Sequence, residues 1–184
     1  DDHDHDHDHG DHDSSSDEDD IILVEDELLE LITSLPGAFV VPGTDGTAPV
    51  HWLCHQETPS AVALDELFTA MPSAASCKDK SGCLPLHWLC SNNTAGAELL
   101  LLALEANESA ASSPDNFGQL PLHYLCLSSL SDPRALTLLL DAYTDGITTQ
   151  DRKSGSTPLH IICASSQIFH GGMGVRQKHI SLIW

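Results

Sequence analysis

Four histidines and four cysteines stand at matched positions along the chain: His51 with Cys54, His87 with Cys90, His123 with Cys126 and His160 with Cys163. An imidazole can be a general base or a metal ligand, and a thiolate a nucleophile or a zinc ligand. Each pair sits in one hexapeptide: Pro49-Val50-His51-Trp52-Leu53-Cys54, Pro85-Leu86-His87-Trp88-Leu89-Cys90, Pro121-Leu122-His123-Tyr124-Leu125-Cys126 and Pro158-Leu159-His160-Ile161-Ile162-Cys163. The leading prolines are 36, 36 and 37 residues apart, and Gly46, Gly82, Gly118 and Gly155 each precede one by three residues. A fixed period of this length belongs to stacked supersecondary units, not to one core with a unique site.

That repetition works against chemistry. A catalytic histidine needs an acid or nucleophile within hydrogen-bond reach, and none of the four has one at a constant helical offset. Neighbouring helices pack about 8–10 Å apart. Equivalent cysteines in adjacent units are then too far apart for a disulfide, whose Cα atoms lie within about 7 Å, or for a shared zinc, with its sulfurs at about 2.3 Å. Cys54, Cys90, Cys126 and Cys163 read as small buried residues. Reduced thiols suit a reducing compartment, so the chain is predicted to be intracellular, with cytoplasm and nucleus both open. The sequence holds no glycine-rich phosphate loop, no H-E-x-x-H and no nucleophile elbow. Neither an enzymatic activity nor a cofactor is predicted.

The elements that carry these residues follow from local rules. Proline fits the first position of a helix, and Leu86, Leu89 and Cys90 then share one buried face. A second helix follows in register. Its stripe is Ala63, Leu64, Leu67 and Phe68, then Leu99, Leu100, Ala103 and Leu104, then Ala135, Leu136, Leu139 and Leu140. One period earlier the same positions are Glu27, Leu28, Leu31 and Ile32, a second helix without its first. Residues 21–42 are therefore predicted to cap the stack, with Leu28, Leu31 and Ile32 as the cover. The second helices are predicted to open at Thr58-Pro59-Ser60, Asn92-Asn93-Thr94 and Ser131-Asp132-Pro133. Before the first helices, Ala48, Leu84 and Leu120 cannot accept a capping hydrogen bond, although Thr157 can. Each missing cap costs about 1 kcal/mol, and packing by Leu53, Leu89 and Leu125 is the expected compensation.

The segment Gly155-Ser156-Thr157-Pro158-Leu159-His160, with its three looser copies, resembles the ankyrin repeat, whose mark is G-x-T-P-L-H-x-A-A. The period here exceeds the usual ~33 residues. The resemblance covers roughly residues 21–166 and implies an all-α, ankyrin-like repeat solenoid of helix-turn-helix units joined by hairpin-like loops. Its repeats are 43–78, 79–114 and 115–150, with a partial one at 151–166. It also implies that each histidine braces a loop by hydrogen bonds within and between repeats. Protein partners in such stacks lie along loop tips and inner helices. The matching tip positions are Thr44 and Asp45, Lys80 and Ser81, Asn116 and Phe117, and Lys153 and Ser154.

The residue after each histidine, Trp52, Trp88, Tyr124 or Ile161, falls nearly opposite the buried face. Two readings stand: an aromatic strip that anchors a partner, or packing against the adjacent loop and repeat. Phe117 is either an exposed aromatic tip or folded back on Tyr124 or Leu122. The reading that unites these sites is a non-enzymatic protein-interaction module. Its alternatives are an acidic metal- or pH-responsive protein and the regulatory part of a larger enzyme.

Charge narrows the partners. With 28 acidic residues against 7 basic ones the net charge is −21, which disfavours nucleic acid and anionic membrane surfaces. Residues 1–20 alternate Asp and His, continue into Ser and acidic residues, and contain no apolar side chain, so disorder is predicted. His3, His5, His7, His9 and His12 would hold Zn²⁺ or Ni²⁺ only loosely, since nothing orients the rings. In the fourth repeat the second-helix stripe is lost: His170-Gly171-Gly172-Met173-Gly174 occupies its place. Glycine inside a helix costs about 1 kcal/mol per residue, so residues 167–184 are predicted to be an atypical, loosely packed tail through which the chain self-associates.

Overall fold

The computed structural model describes residues 16–128 and 132–168. Residues 1–15 and 169–184 lie outside it, and with them the Asp-His metal reading and nearly all of the predicted C-terminal tail. Among the described residues the chain is all-α, with eight α-helices and a short 3-10 turn after each long helix that has a successor. The helices are α1 Ser16–Ser34, α2 Pro49–His55, α3 Ala61–Ala70, α4 Pro85–Ser91, α5 Ala97–Ala106, α6 Pro121–Leu127, α7 Pro133–Ala142 and α8 Pro158–Ile168. Each of the short helices α2, α4 and α6, like α8, starts on the proline of a hexapeptide. Short helices pack on short ones, α2 on α4 on α6 on α8, and long on long, α1 on α3 on α5 on α7. This order is a repeat array.

The stripes form the core. Leu64, Leu67, Leu86, Leu89, Leu100 and Ile32 are essentially removed from water, each such burial worth about 1.5–3 kcal/mol. Towards the far end the cover thins. Leu136 and Leu140 are only partly buried, and Leu159 is 49% exposed where Val50, Leu86 and Leu122 are at most 3%. No described helix packs beyond α8.

Three expectations change at this level. Residues 16–20, expected to belong to a disordered tail, are part of helix α1. Leu31 is 52% exposed, and the cover on α3 comes from Leu28, Leu29 and Ile32. No described helix precedes α1, and the side of α1 that carries Leu31 meets no described neighbour. The third concerns caps. Ser60 caps α3 by accepting from Ala63 N–H, and Asp132 caps α7 by accepting from Arg134 N–H, but α5 starts after Gly96, which has no side chain to offer. The N–H of Ala97 donates instead to Asp132 Oδ2 at 3.1 Å. One carboxylate thus serves the starts of two neighbouring long helices, and the hydrogen bonds from Arg134 hold its pKa down at about 2.

Candidate functional site: the loop row and the short-helix face

The first three loops are built by the same atoms. In the second, Asp79 N–H donates to Cys83 O and Gly82 N–H to Asp79 O. The third repeats this with Asp115, Gln119 and Gly118, and the first with Gly43, Thr47 and Gly46. The turn ends on a glycine with φ of 78°, 79° or 76°, a region in which a Cβ is strained. A Cβ on Gly82 would also lie 2.7 Å from Asn116 Oδ1 and 3.0 Å from Asn116 N, so the next loop could not sit so close.

All four histidines bond within their own loops, and His87 also bonds to the next repeat. Nδ1 accepts the backbone N–H three residues earlier: Ala48 at 3.2 Å, Leu84 and Leu120 at 3.0 Å, Thr157 at 3.3 Å. Ala48, Leu84 and Leu120 are positions that lack a capping side chain, so there the imidazole meets a need otherwise expected to fall to leucine packing. The proton must then be on Nε2, which for His51 reaches Cys77 O at the end of its own repeat at 3.1 Å and for His87 reaches Gln119 O of the next repeat at 3.2 Å. Burial keeps His87 neutral down to about 4, far below an ordinary imidazole.

His123 breaks the series. Its Nε2 is buried without a hydrogen-bond partner among the described residues, although the carbonyls of Ser156 and Thr149 face it. The fourth loop has one residue more between Asp151 and Gly155 than its counterparts have, which accounts for the 37-residue step. His160 is exposed, with no described repeat beyond it.

A column of loop aspartates was missed by the sequence reading. Asp79 Oδ1 accepts from Ser81 and Cys83 N–H at 2.8 Å each, and Oδ2 accepts from the Trp88 indole at 3.1 Å. Asp115 does the same for Phe117 and Gln119 N–H, and its Oδ2 accepts from Tyr124 OH at 2.9 Å. Asp151 receives Ser154 and Gly155 N–H and the Ser154 hydroxyl. The spacing of 36 between these aspartates was available as a signal.

These bonds sort the aromatic strip. Trp88 is 7% exposed and Tyr124 half-buried, so both pack against their own loops. Trp88 offers too little surface to anchor a partner, a correction to its place among the candidate contacts. Trp52 is 53% exposed; its ring lies 5.9 Å from that of Trp88, centroid to centroid, with His55 edge-on to Trp88 at 5.2 Å. Thr44, Asp45, Lys80, Asn116, Lys153 and Ser154 are exposed, Ser81 is half-buried, and Phe117 is 44% exposed.

The tips are joined to one another. Asn116 N–H donates to Ser81 O at 2.9 Å, Asn116 Nδ2 to Lys80 O at 3.0 Å, and Arg152 N–H to Phe117 O at 2.7 Å. They form a hydrogen-bonded row, not independent fingers.

Nothing in this arrangement resembles an activated nucleophile. None of the six cysteines forms a disulfide. Burial pushes the thiols of Cys54 and Cys90 far up, and raises Cys83 to about 12 and Cys126 to about 11. Among the described residues no group of three or more His, Cys, Asp or Glu side chains is placed to hold a metal ion, and no helix is long and apolar enough to cross a membrane. No protein-family model and no curated protein matches the chain.

Proposed function

We propose that the chain is a non-enzymatic, ankyrin-like interaction module that binds a protein partner along its loop row and short-helix face. The observation that carries the reading is the hydrogen-bonded row from Lys80 and Ser81 through Asn116 and Phe117 to Arg152. Each backbone is held by its own aspartate and by the next loop, while Lys80, Asn116, Phe117 and Lys153 stay exposed. Such a surface loses little conformational entropy on binding, because it is ordered beforehand. The acidic balance selects partners with basic surfaces and gives their association a salt dependence.

Crosslinked capture with the full chain as bait tests this. A specific partner should be lost when Lys80→Glu and Phe117→Ser are combined, with the melting temperature unchanged. It should be retained when Asp65→Lys and Glu66→Lys are placed on the exposed side of α3. Loss through the α3 pair alone would refute the reading.

A further inference from the structure

The first repeat departs from the others at one position, and a cleft of about 620 Å³ opens there. Gly43 stands where Asp79, Asp115 and Asp151 stand in the later loops, and its backbone makes the same bonds, N–H to Thr47 O and O from Gly46 N–H. Only the carboxylate is missing. Asp45 takes over half of its work, its Oδ1 accepting from Thr47 N–H at 3.0 Å as Asp79 does for Cys83. The other half, accepting from the aromatic donor on the short helix, has no replacement. The Trp88 indole and the Tyr124 hydroxyl are held by loop carboxylates. Trp52, the matching residue of the first repeat, makes no such bond and stands half in solvent beside the cleft.

The cleft is shallow and open, lined by Val41, Pro42, Gly43, Pro49 and the Trp52 ring, with Asp45 the one ionisable group among the lining residues. A helix's carbonyls are already engaged in its own hydrogen bonds, so it offers no acceptor to the Trp52 indole. A polyproline-type segment is slim, has every carbonyl free, and is ordered before it binds. Docking of such segments on aromatic-lined grooves is a general mode of peptide recognition. The exposed Asp45 carboxylate, shared only in part with Lys80, and the net charge of −21 favour a cationic ligand.

We propose that this cleft seats an extended, proline-bearing peptide segment flanked by Arg or Lys, with one of its backbone carbonyls accepting the Trp52 indole N–H. This names the partner chemistry for the interaction reading above and rests on that reading.

The test uses the full chain, uniformly ¹⁵N-labelled, and a capped peptide Arg-Pro-Leu-Pro-Pro-Leu-Pro-Arg, with a second peptide carrying Glu in place of both Arg residues. Trp52, Trp88 and Trp184 give three indole signals, assigned through Trp→Phe variants. The Trp52 signal should shift saturably, with a Kd below about 1 mM, and the Glu peptide should bind at least about fivefold more weakly at low salt. Trp52→Phe keeps the ring but removes the donor, and should weaken binding about tenfold. Gly43→Asp combined with Asp45→Ser rebuilds the second loop's pattern. Gly43 is outside the left-handed region, and the one tight contact of an added Cβ is Asp45 Oδ1 at 3.0 Å, which the second substitution removes. That variant should melt no lower than the parent, because an internal acceptor now holds Trp52, and should lose the peptide. No saturable shift in the parent, or equal binding by the rebuilt loop, overturns the proposal. If a captured partner still depends on Lys80 and Phe117 in that event, the interaction reading stands without it.

Discussion

The Tyr124 hydroxyl donates to Asp115 Oδ2 at 2.9 Å, while Oδ1 of the same carboxylate receives the N–H groups of Phe117 and Gln119. A side chain on a short helix is thereby fastened to the loop that leads into it, and the loop tip is fixed with it. Asp115→Ala leaves buried donors without an acceptor and should destabilise the chain by about 2–4 kcal/mol in urea denaturation. Tyr124→Phe should cost about 1 kcal/mol. Together they should fall short of the sum by about 1 kcal/mol, the coupling expected of groups in contact; full additivity would show that the bond contributes nothing.

His87 joins two repeats through Leu84 N–H and Gln119 O. His87→Ala should destabilise by about 1–3 kcal/mol. Its pH dependence has a definite sign. The folded ring stays neutral to about 4 because it is buried, against the attraction of Asp115 and Asp79 and with slight help from Lys78. An unfolded histidine protonates near 6.5. Its share of stability is complete above pH 6.5 and declines as pH falls towards 4, by on the order of 3 kcal/mol. Parent and variant curves of stability against pH should differ in slope across that window; parallel curves would contradict the buried neutral ring.

Asp132 serves both Ala97 N–H and Arg134 N–H. Asp132→Ala should lower the melting temperature, as the loss of a strong N-cap does. Hydrogen exchange should quicken at the start of α5 as well as α7. A change confined to α7 would show that the bond between repeats is idle.

Thiol reactivity offers an independent check on packing. Cys54 and Cys90 are fully buried, Cys77 is half-exposed, and Cys163 is exposed. Alkylation followed by mass spectrometry should modify Cys163 first and Cys54 and Cys90 only on the timescale of unfolding. Early labelling of Cys90 would mean that the α4–α6 contact opens readily.

The repeat register was legible because apolar stripes and prolines recur at one spacing, and packing of identical units leaves little freedom in how they stack. The histidine role followed from the ankyrin resemblance and not from the spacing itself. The loop aspartates recur just as regularly, yet their partners, Trp88 and Tyr124, lie nine residues away around a turn, so no helical or strand periodicity links them. Leu31 was misplaced because the register was carried into a unit with no first helix among the described residues, so one side of α1 has no described neighbour. The two-helix role of Asp132 depends on contact between repeats, and the orphaned His123 Nε2 on one inserted residue; neither has a local signature. Trp52 lacks the carboxylate acceptor that Trp88 has because Gly43 stands in place of Asp79, a difference that appears when the loops are laid over one another.

The most direct test of the central claim is hydrogen exchange on the full chain, alone and with its captured protein bound. The account predicts added protection across residues 43–47, 79–83, 115–119 and 151–156 and on α2, α4 and α6, with the exposed faces of α3, α5 and α7 unchanged. Protection confined to the long helices, with the loop row exchanging as before, would contradict it.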